Sequence, residues 1–321
     1  MADYLSRVFC RSSSLMAELP DESMDLIFTS PPYEKLRRYS DSPDDLGNYQ
    51  GEEFVGKLAP VLREACRVLK STGNIFLNFQ APNLNGFVSP SEFLIPRLAV
   101  EEMGLHLAQT HYWIKPNAMP VPAGYVVKDS VELIWHFAKT ADFYVDKDAL
   151  RVPSKTQGAD NRPWKFNPLG KDPGNAFFEP VAQDQQRGHP AKMPLAVAER
   201  FVLYGSKSGD AVLDPFCGSG TTLLAAQTHG RDFVGYELKV EYAEAARVAL
   251  GIGGGATASP AGLEYKKWLT MDEAVMYTGL SKPTIYSKIC RKEIPVSKVG
   301  RLNRFEREQL DQWMRDGGRI Q

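Results

Sequence analysis

The chain is short of cysteine, and the four it has, Cys10, Cys66, Cys217 and Cys290, are scattered with no CxxC pair. That spacing argues against a disulfide framework and a thiolate zinc site, and it fits a reducing, cytoplasmic setting. Histidine is also sparse. His106, His111, His136 and His229 show no metal-ligand spacing, so they are expected to be core or surface residues, and no metal is expected. Long apolar runs are missing: nothing approaches the ~20 residues of a membrane span. The opening MADYLSRVFCRSSS lacks the basic-then-apolar layout of a secretory signal. No membrane partner is therefore expected. Strong charge of either sign is absent too, the net being −1. Its distribution is uneven, however. From position 263 onward there are twelve Lys and Arg against eight Asp and Glu, while the rest of the chain is mildly acidic. A basic tail on an acidic body is compatible with DNA binding.

What is present is enough for a large core and a small second domain: 321 residues, 43% hydrophobic and 24% charged. The stretch GIGGGATASPAG at 251–262 has the composition of a flexible linker. It separates a body at 1–250 from a tail at 263–321. In the body, helical and strand patterns alternate, which predicts an α/β fold with a mostly parallel sheet. Phe54, Leu58, Val61, Leu62, Ala65 and Leu69 share one helical face, kinked at Pro60 and stopped by Gly73. Strands are expected at 74–79, 111–115, 131–137, 211–213 and 232–236. Helices are expected from Ser91, as cap, to 103, and at 194–204, 221–229 and 241–250.

Between 151 and 187 the periodicity fails. This stretch is rich in Pro, Gly, Asn and basic residues, with Trp164, Phe166, Phe177 and Phe178 interleaved. A long irregular segment within a domain usually carries function or is disordered.

Two loops carry chemistry. DPFCGSGTT at 214–222 follows the apolar run Ala211-Val212-Leu213. Gly218 and Gly220 permit a tight turn and a close approach to a ligand. Asp214 at the strand tip can accept from a ligand ammonium, and the following helix offers free N–H groups. About twenty residues on, Glu237 ends the next expected strand, where an acid can hold ribose hydroxyls. TSPPY at 29–33 follows the apolar run at 24–28. Pro31 and Pro32 make that loop rigid and leave carbonyls free to accept. The Ser30 hydroxyl and the Pro31 carbonyl suit a base amino group, and Tyr33 offers a face on which a flipped base can stack. Both junctions lie where open α/β sheets place their ligands.

In kind and order, these residues resemble the permuted β group of DNA amino-methyltransferases, over most of 4–250. Thr29 to Tyr33 matches the catalytic motif of that family. Asp214, Pro215, Phe216, Gly218, Ser219 and Gly220 match its cofactor loop, and Glu237 its ribose-binding acid. Gly188, His189 and Pro190, through Pro194, resemble the element that wraps the methionine end of the cofactor. WIKPNAMP at 113–120 is also similar to the family, and 151–187 falls where target recognition would lie. The resemblance implies a class I, Rossmann-like, circularly permuted fold with S-adenosyl-L-methionine as cofactor. It implies double-stranded DNA as substrate, the base being flipped from the duplex, and it allows a cognate restriction endonuclease as a partner. Ser30 is the form more typical of cytosine-N4 enzymes, with adenine-N6 methylation as the alternative. A DNA-binding regulator with a relic methyltransferase body is the alternative from another class. Carbon-5 chemistry would need a nucleophilic Cys after Pro, which is lacking. One departure stands out: many relatives carry Gly-Asp where this chain reads Phe9-Cys10-Arg11-Ser12-Ser13-Ser14, which leaves the adenine contact to a Ser or the backbone, and no residue is assigned to it.

The tail carries a capping box, Thr270 with Glu273. A short helix, a turn, a second helix capped by Ser281, a hairpin turning near Gly300 and a last helix with Leu310 and Trp313 follow. This layout resembles the excisionase-like, MerR-related winged helix-turn-helix modules. The resemblance implies groove contacts from Lys282, Thr284, Tyr286 and Lys288 and phosphate contacts from Arg301 and Arg304. A packing or dimerisation domain is the other reading.

Overall fold

Continuous apolar runs, rather than alternating ones, build the central sheet, because its middle strands are covered by helices on both faces. The computed structural model describes residues 3–34, 42, 44–84, 86–118, 127–153, 167, 169–181, 193–252, 268–269, 271–278, 280, 282–299 and 302–315. Contacts divide the chain into two units, Met1–Gly253 and Gly254–Gln321.

The first unit holds β1 (Arg7–Cys10), β2 (Met24–Thr29), α1 (Gly51–Val68), β3 (Leu69–Phe79), a small hairpin of β4 (Asn83–Leu84) and β5 (Phe87–Val88), and α2 (Ser91–Glu101). Next come β6 (His106–Ile114), β7 (Val131–Ala138), β8 (Ala176–Phe178), α3 (Leu195–Gly205), β9 (Ala211–Asp214), α4 (Thr221–Thr228), β10 (Asp232–Glu237) and α5 (Val240–Leu250). Eight strands form one sheet in the order β1-β10-β9-β2-β3-β7-β6-β8. Pairing is parallel from β1 to β3 and antiparallel on both sides of β7, and β8 runs parallel to β6. Adjacent residues point to opposite cores. Ile27 and Leu213 pack on the side of α1 and α2, whereas Leu26, Phe28 and Val212 pack on the side of α3, α4 and α5. Fully burying each such side chain stabilises the fold by roughly 1.5–3 kcal/mol.

The chain winds in opposite directions from the two middle strands. After β9 it passes through α4 to β10, and after β2 through α1 to β3 on the other side. The carboxyl ends of β2 and β9 therefore form a switch point, the crevice where such sheets bind ligands. Two loops far apart in the sequence become neighbours there.

Some elements differ from expectation. β3 begins at Leu69, because its polar first half pairs with β2 across a register shift between Met24 and Leu26. β6 begins at His106, its first half solvent-exposed and so without a buried alternation to read. β1 and β8 were not expected. β8 arises within the irregular segment and shows no apolar run, since only Phe177 is partly covered. Ser91 does not cap α2: it is the first helical residue, preceded by Pro90, and its N–H and hydroxyl both donate to Ser89 Oγ. α1 runs through Pro60.

The second unit contains β11 (Trp268–Leu269), α6 (Met271–Thr278), α7 (Lys282–Cys290), β12 (Ser297–Val299), β13 (Leu302–Glu306) and α8 (Arg307–Arg315). Its sheet has the order β11-β13-β12, all antiparallel. The helices close over Leu269, Ala274, Ile285, Ile294, Phe305, Leu310 and Trp313. Thr270, Ser281 and Gly300 lie outside the described residues. Among the described residues, no helix is long and apolar enough to cross a membrane.

Candidate active site

A cleft of about 490 Å3 opens at the switch point, lined by residues of both loops. On one wall, Asp214 ends β9 with its side chain buried. Its Oδ1 accepts from the Phe216 N–H at 3.0 Å and from Thr29 Oγ1 at 2.6 Å. The second bond ties the two loops together directly. Burial holds the Asp214 carboxyl up at about 6, partly offset by the hydrogen bonds from Thr29, Thr222 and the Phe216 N–H.

The rest of this loop is set by its own backbone. Gly218 and Gly220 have φ of +51° and +86°, the left-handed region that side chains rarely adopt. A Cβ on Gly220 would also meet Ala246 Cβ of α5 at 3.0 Å, so this glycine seats α4 against α5. The Gly218 N–H donates to Glu237 Oε2 at 3.0 Å, and the Lys239 N–H to Oε1 at 2.7 Å. Burial shifts the Glu237 carboxyl upward, with those N–H groups opposing the shift. Each carboxylate oxygen still has a lone pair free for a ligand hydroxyl.

The opposite wall is the Pro-Pro loop. Ser30, Pro31, Pro32 and Tyr33 all line the cleft. Tyr33 packs edge-on against Phe79 at 5.6 Å and donates its hydroxyl to Glu132 Oε2 at 2.8 Å. Glu34, fully buried, accepts from the Gly51 N–H at 2.7 Å and from Ser89 Oγ at 2.8 Å. The loop is thus held at both ends and in the middle.

The cleft brings together nearly all the residues expected of the two loops: Ser30 to Tyr33, Asp214 to Phe216, Gly218, Ser219 and Glu237 line it, with Gly220 just behind. His189 and Pro190 lie outside the described residues, but Met193, which follows them, lines the cleft. Arg11 to Ser14, left unassigned on the sequence, also line it, just after β1. Most of 151–187 is outside the described residues, Trp164 and Phe166 included.

The family model described as DNA methylase matches residues 24–248, which includes both walls of the cleft. The chain belongs to the DNA methylase family. A model described as a helix-turn-helix domain matches residues 268–318. Among the relatives is the Type II methyltransferase M.PvuII of Proteus hauseri. It is 27% identical over 273 residues, covering 73% of this chain and 80% of that protein. Another is the DNA adenine methyltransferase YhdJ of Escherichia coli K12, 31% identical over 71% of this chain and 76% of its own length. Among solved structures, the cytosine-N4-specific PvuII methyltransferase shares the fold with a TM-score of 0.62 at 23% identity, covering 88% of this chain and 91% of that one. A DNA modification methylase of Thermus thermophilus, named as putative and solved with S-adenosyl-L-methionine, gives 0.53 at 27% identity, over 78% and 97%.

The methylase also has site residues that sequence reasoning missed. Asn78, Lys115 and Glu132 form a buried polar cluster beside Tyr33. A signal existed: Glu132 stands on the same strand face as the buried Ile134 and His136, and Asn78 on that of the buried Phe76. Charged and amide groups on a buried face call for partners. His111 and His136 are buried in the core: His136 Nε2 pairs with Asn74 Oδ1 at 2.8 Å, and burial holds His111 down to about 4 and His136 to about 3.

In the tail, Thr284 and Tyr286 are exposed on α7. Lys282 begins that helix, and Arg304 lies on β13 with a guanidinium N–H donating to the Asn303 carbonyl. Lys288 is engaged within the unit, 3.6 Å from Glu293 and over the Trp313 ring. Arg301 lies outside the described residues.

Proposed function

We propose that this DNA methylase transfers a methyl group to the exocyclic N4 amine of cytosine in double-stranded DNA. The observation that carries the reading is the Thr29–Asp214 hydrogen bond, which holds a base-sized Ser-Pro-Pro-Tyr wall against a Gly-bearing acidic wall in one cleft. The acidic wall fits S-adenosyl-L-methionine. Glu237 faces the cleft with acceptor capacity for ribose hydroxyls, buried Asp214 can take the ammonium, and Pro215, Phe216, Gly218 and Ser219 form the floor, with the turn at Gly220 leading into α4. Cleft volumes of ~300–1,000 Å3 suit such ligands. When bound, the cofactor supplies an electrophilic methyl on a sulfonium.

The chain's own residues do the rest. Ser30 Oγ and the Pro31 carbonyl accept hydrogen bonds from the two amine N–H groups, which aims the nitrogen lone pair across the cleft. As the N–C bond forms and the C–S bond breaks, the methylated nitrogen gives up one proton to solvent. Tyr33 stacks on the base, and the walls exclude water. Flipping the base costs a few kcal/mol, which contacts to the duplex must offset. Positioning of this kind supplies most of the rate enhancement, since the amine needs no covalent activation. The Ser at position 30 favours cytosine. The YhdJ likeness favours adenine-N6, which the same wall can accommodate because both bases offer an amine next to a ring acceptor. The tail, through Thr284, Tyr286, Lys282 and Arg304, adds duplex contacts. The Type II relatives support a modification role beside a cognate restriction endonuclease.

The test is methyl transfer from labelled S-adenosyl-L-methionine to mixed-sequence duplex DNA, followed by mass analysis of the nucleosides. N4-methylcytosine is expected. N6-methyladenine would overturn the choice of base, and 5-methylcytosine would overturn the amine mechanism.

A further inference from the structure

Beside the catalytic wall lies an ion pair that the chemistry above does not use. Lys115, just after β6, and Glu132, in β7, meet at 3.0 Å with side chains only 8% and 10% exposed. Lys115 Nζ also donates to Gln80 Oε1 at 2.8 Å. Stability alone gives little reason for such a pair, because well-packed apolar residues in its place are often as stable or more so. What the carboxylate accepts is more informative. Its Oε1 takes Lys115, and its Oε2 takes two donors from the cleft: the Tyr33 hydroxyl at 2.8 Å and Asn78 Nδ2 at 2.9 Å.

Glu132 also dictates which way round the Asn78 amide sits. A carboxylate accepts only, so Nδ2 must face it, and from there the same nitrogen lies 3.4 Å from Ser30 Oγ. Asn78 Oδ1 is left buried with no hydrogen-bond partner among the described residues. Holding an amide that way has a cost, which the bonds from Nδ2 offset. One fixed carboxylate thus reaches both functional side chains of the loop, Tyr33 directly and Ser30 through Asn78.

We propose that Glu132, held by Lys115, is a positioning residue for methyl transfer, fixing the stacking face of Tyr33 and the hydroxyl of Ser30 where the target amine meets them. This rests on the reading of 29–33 as the catalytic loop.

Two full-length variants test it in the methyl-transfer assay, with cofactor affinity by calorimetry and thermal melting measured alongside. Lys115→Met with Glu132→Leu removes both charges at once, so neither is left buried and unpaired. Tyr33→Phe cuts one tie and leaves the ion pair untouched. We expect the charge-free variant to bind S-adenosyl-L-methionine within about twofold of the parent and to lose about 10- to 100-fold in kcat, with a much smaller change in KM for DNA. Tyr33→Phe should lower kcat with melting unchanged. Its effect should shrink when added to the charge-free background, because the tie is already gone. A charge-free variant with parental kcat overturns the proposal, as does a Tyr33→Phe effect that multiplies in full on that background. Should the charge-free variant not fold, Tyr33→Phe decides alone, and parental kcat there overturns the proposal. Ser30→Ala separates the two readings. If it retains full turnover, both fall. If it loses turnover while the other variants keep theirs, only the positioning role falls.

Discussion

The two walls of the cleft are held in different ways. The Asp214 wall is fixed locally: left-handed glycines, backbone N–H groups on Asp214 and Glu237, and a turn closed by the Gly220 N–H on the Cys217 carbonyl at 2.7 Å. The Ser30 wall has no such means, because its prolines lack N–H groups. It hangs instead on side chains brought in from elsewhere: Asp214 on Thr29, Glu132 on Tyr33, and the α1 and Ser89 donors on Glu34. On the proposed function, the wall fixed by its own backbone takes the cofactor, and the wall held by separate ties keeps its carbonyls and hydroxyl free for the target amine.

Breaking the local wall should cost the most stability. Gly220→Val forces a branched side chain into φ +86° and into contact with Ala246. Strain plus overpacking predicts a loss of about 3 kcal/mol or more in denaturant unfolding.

Acidity probes the same wall. Asp214 has its carboxyl raised from 3.8 to about 6, so the folded protein keeps that proton at pH values where the unfolded chain has lost it. Stability from the neutral acid is fully present below 3.8 and is lost as pH rises through about 6, on the order of 3 kcal/mol. The difference in unfolding free energy between the parent and Asp214→Asn, followed from pH 3.5 to 7, should show that fall. Cofactor affinity should run the other way. Below pH 6 the parent's Kd for S-adenosyl-L-methionine should weaken by about tenfold per unit, and that of Asp214→Asn should stay flat.

Cutting the tie between the walls is milder. Thr29→Val keeps shape and removes the 2.6 Å bond. It should cost about 1–2 kcal/mol in unfolding free energy and push the titration of cofactor binding to higher pH, since that bond favours the ionised acid. The smallest effect is expected in the tail. Tyr286→Ala, on an exposed face of α7, should leave methyl transfer at saturating DNA unchanged and weaken DNA affinity by about tenfold or less.

The same contrast explains what the sequence could reveal. The Asp214 loop and Glu237 were readable because the features that mark them are close in sequence: a strand, glycines, and an acid one βα unit later. The Ser-Pro-Pro-Tyr loop was readable as a candidate, and it lines the cleft, but its supports were not readable. Glu132 lies 99 residues from Tyr33 in sequence, and Asp214 lies 185 from Thr29. Glu34 passed unnoticed, because nothing in a lone Glu after Tyr announces the start of α1. β8 was hidden because a three-residue edge strand with two exposed positions has no pattern. The helices of the tail were read from a capping box, a turn and a capping Ser, and α6, α7 and α8 lie in that order. The partners of Lys288 were not, since Glu293 and Trp313 reach it through the fold of that unit.

On the proposed function the walls have separable jobs, cofactor on one and target amine on the other. The direct measurement is Ser30→Ala, assayed for S-adenosyl-L-methionine binding by calorimetry and for methyl transfer to duplex DNA. Affinity for the cofactor within about twofold of the parent, with methyl transfer down by about a hundredfold or more, is the predicted result. Parental turnover, or loss of cofactor binding along with activity, would contradict it.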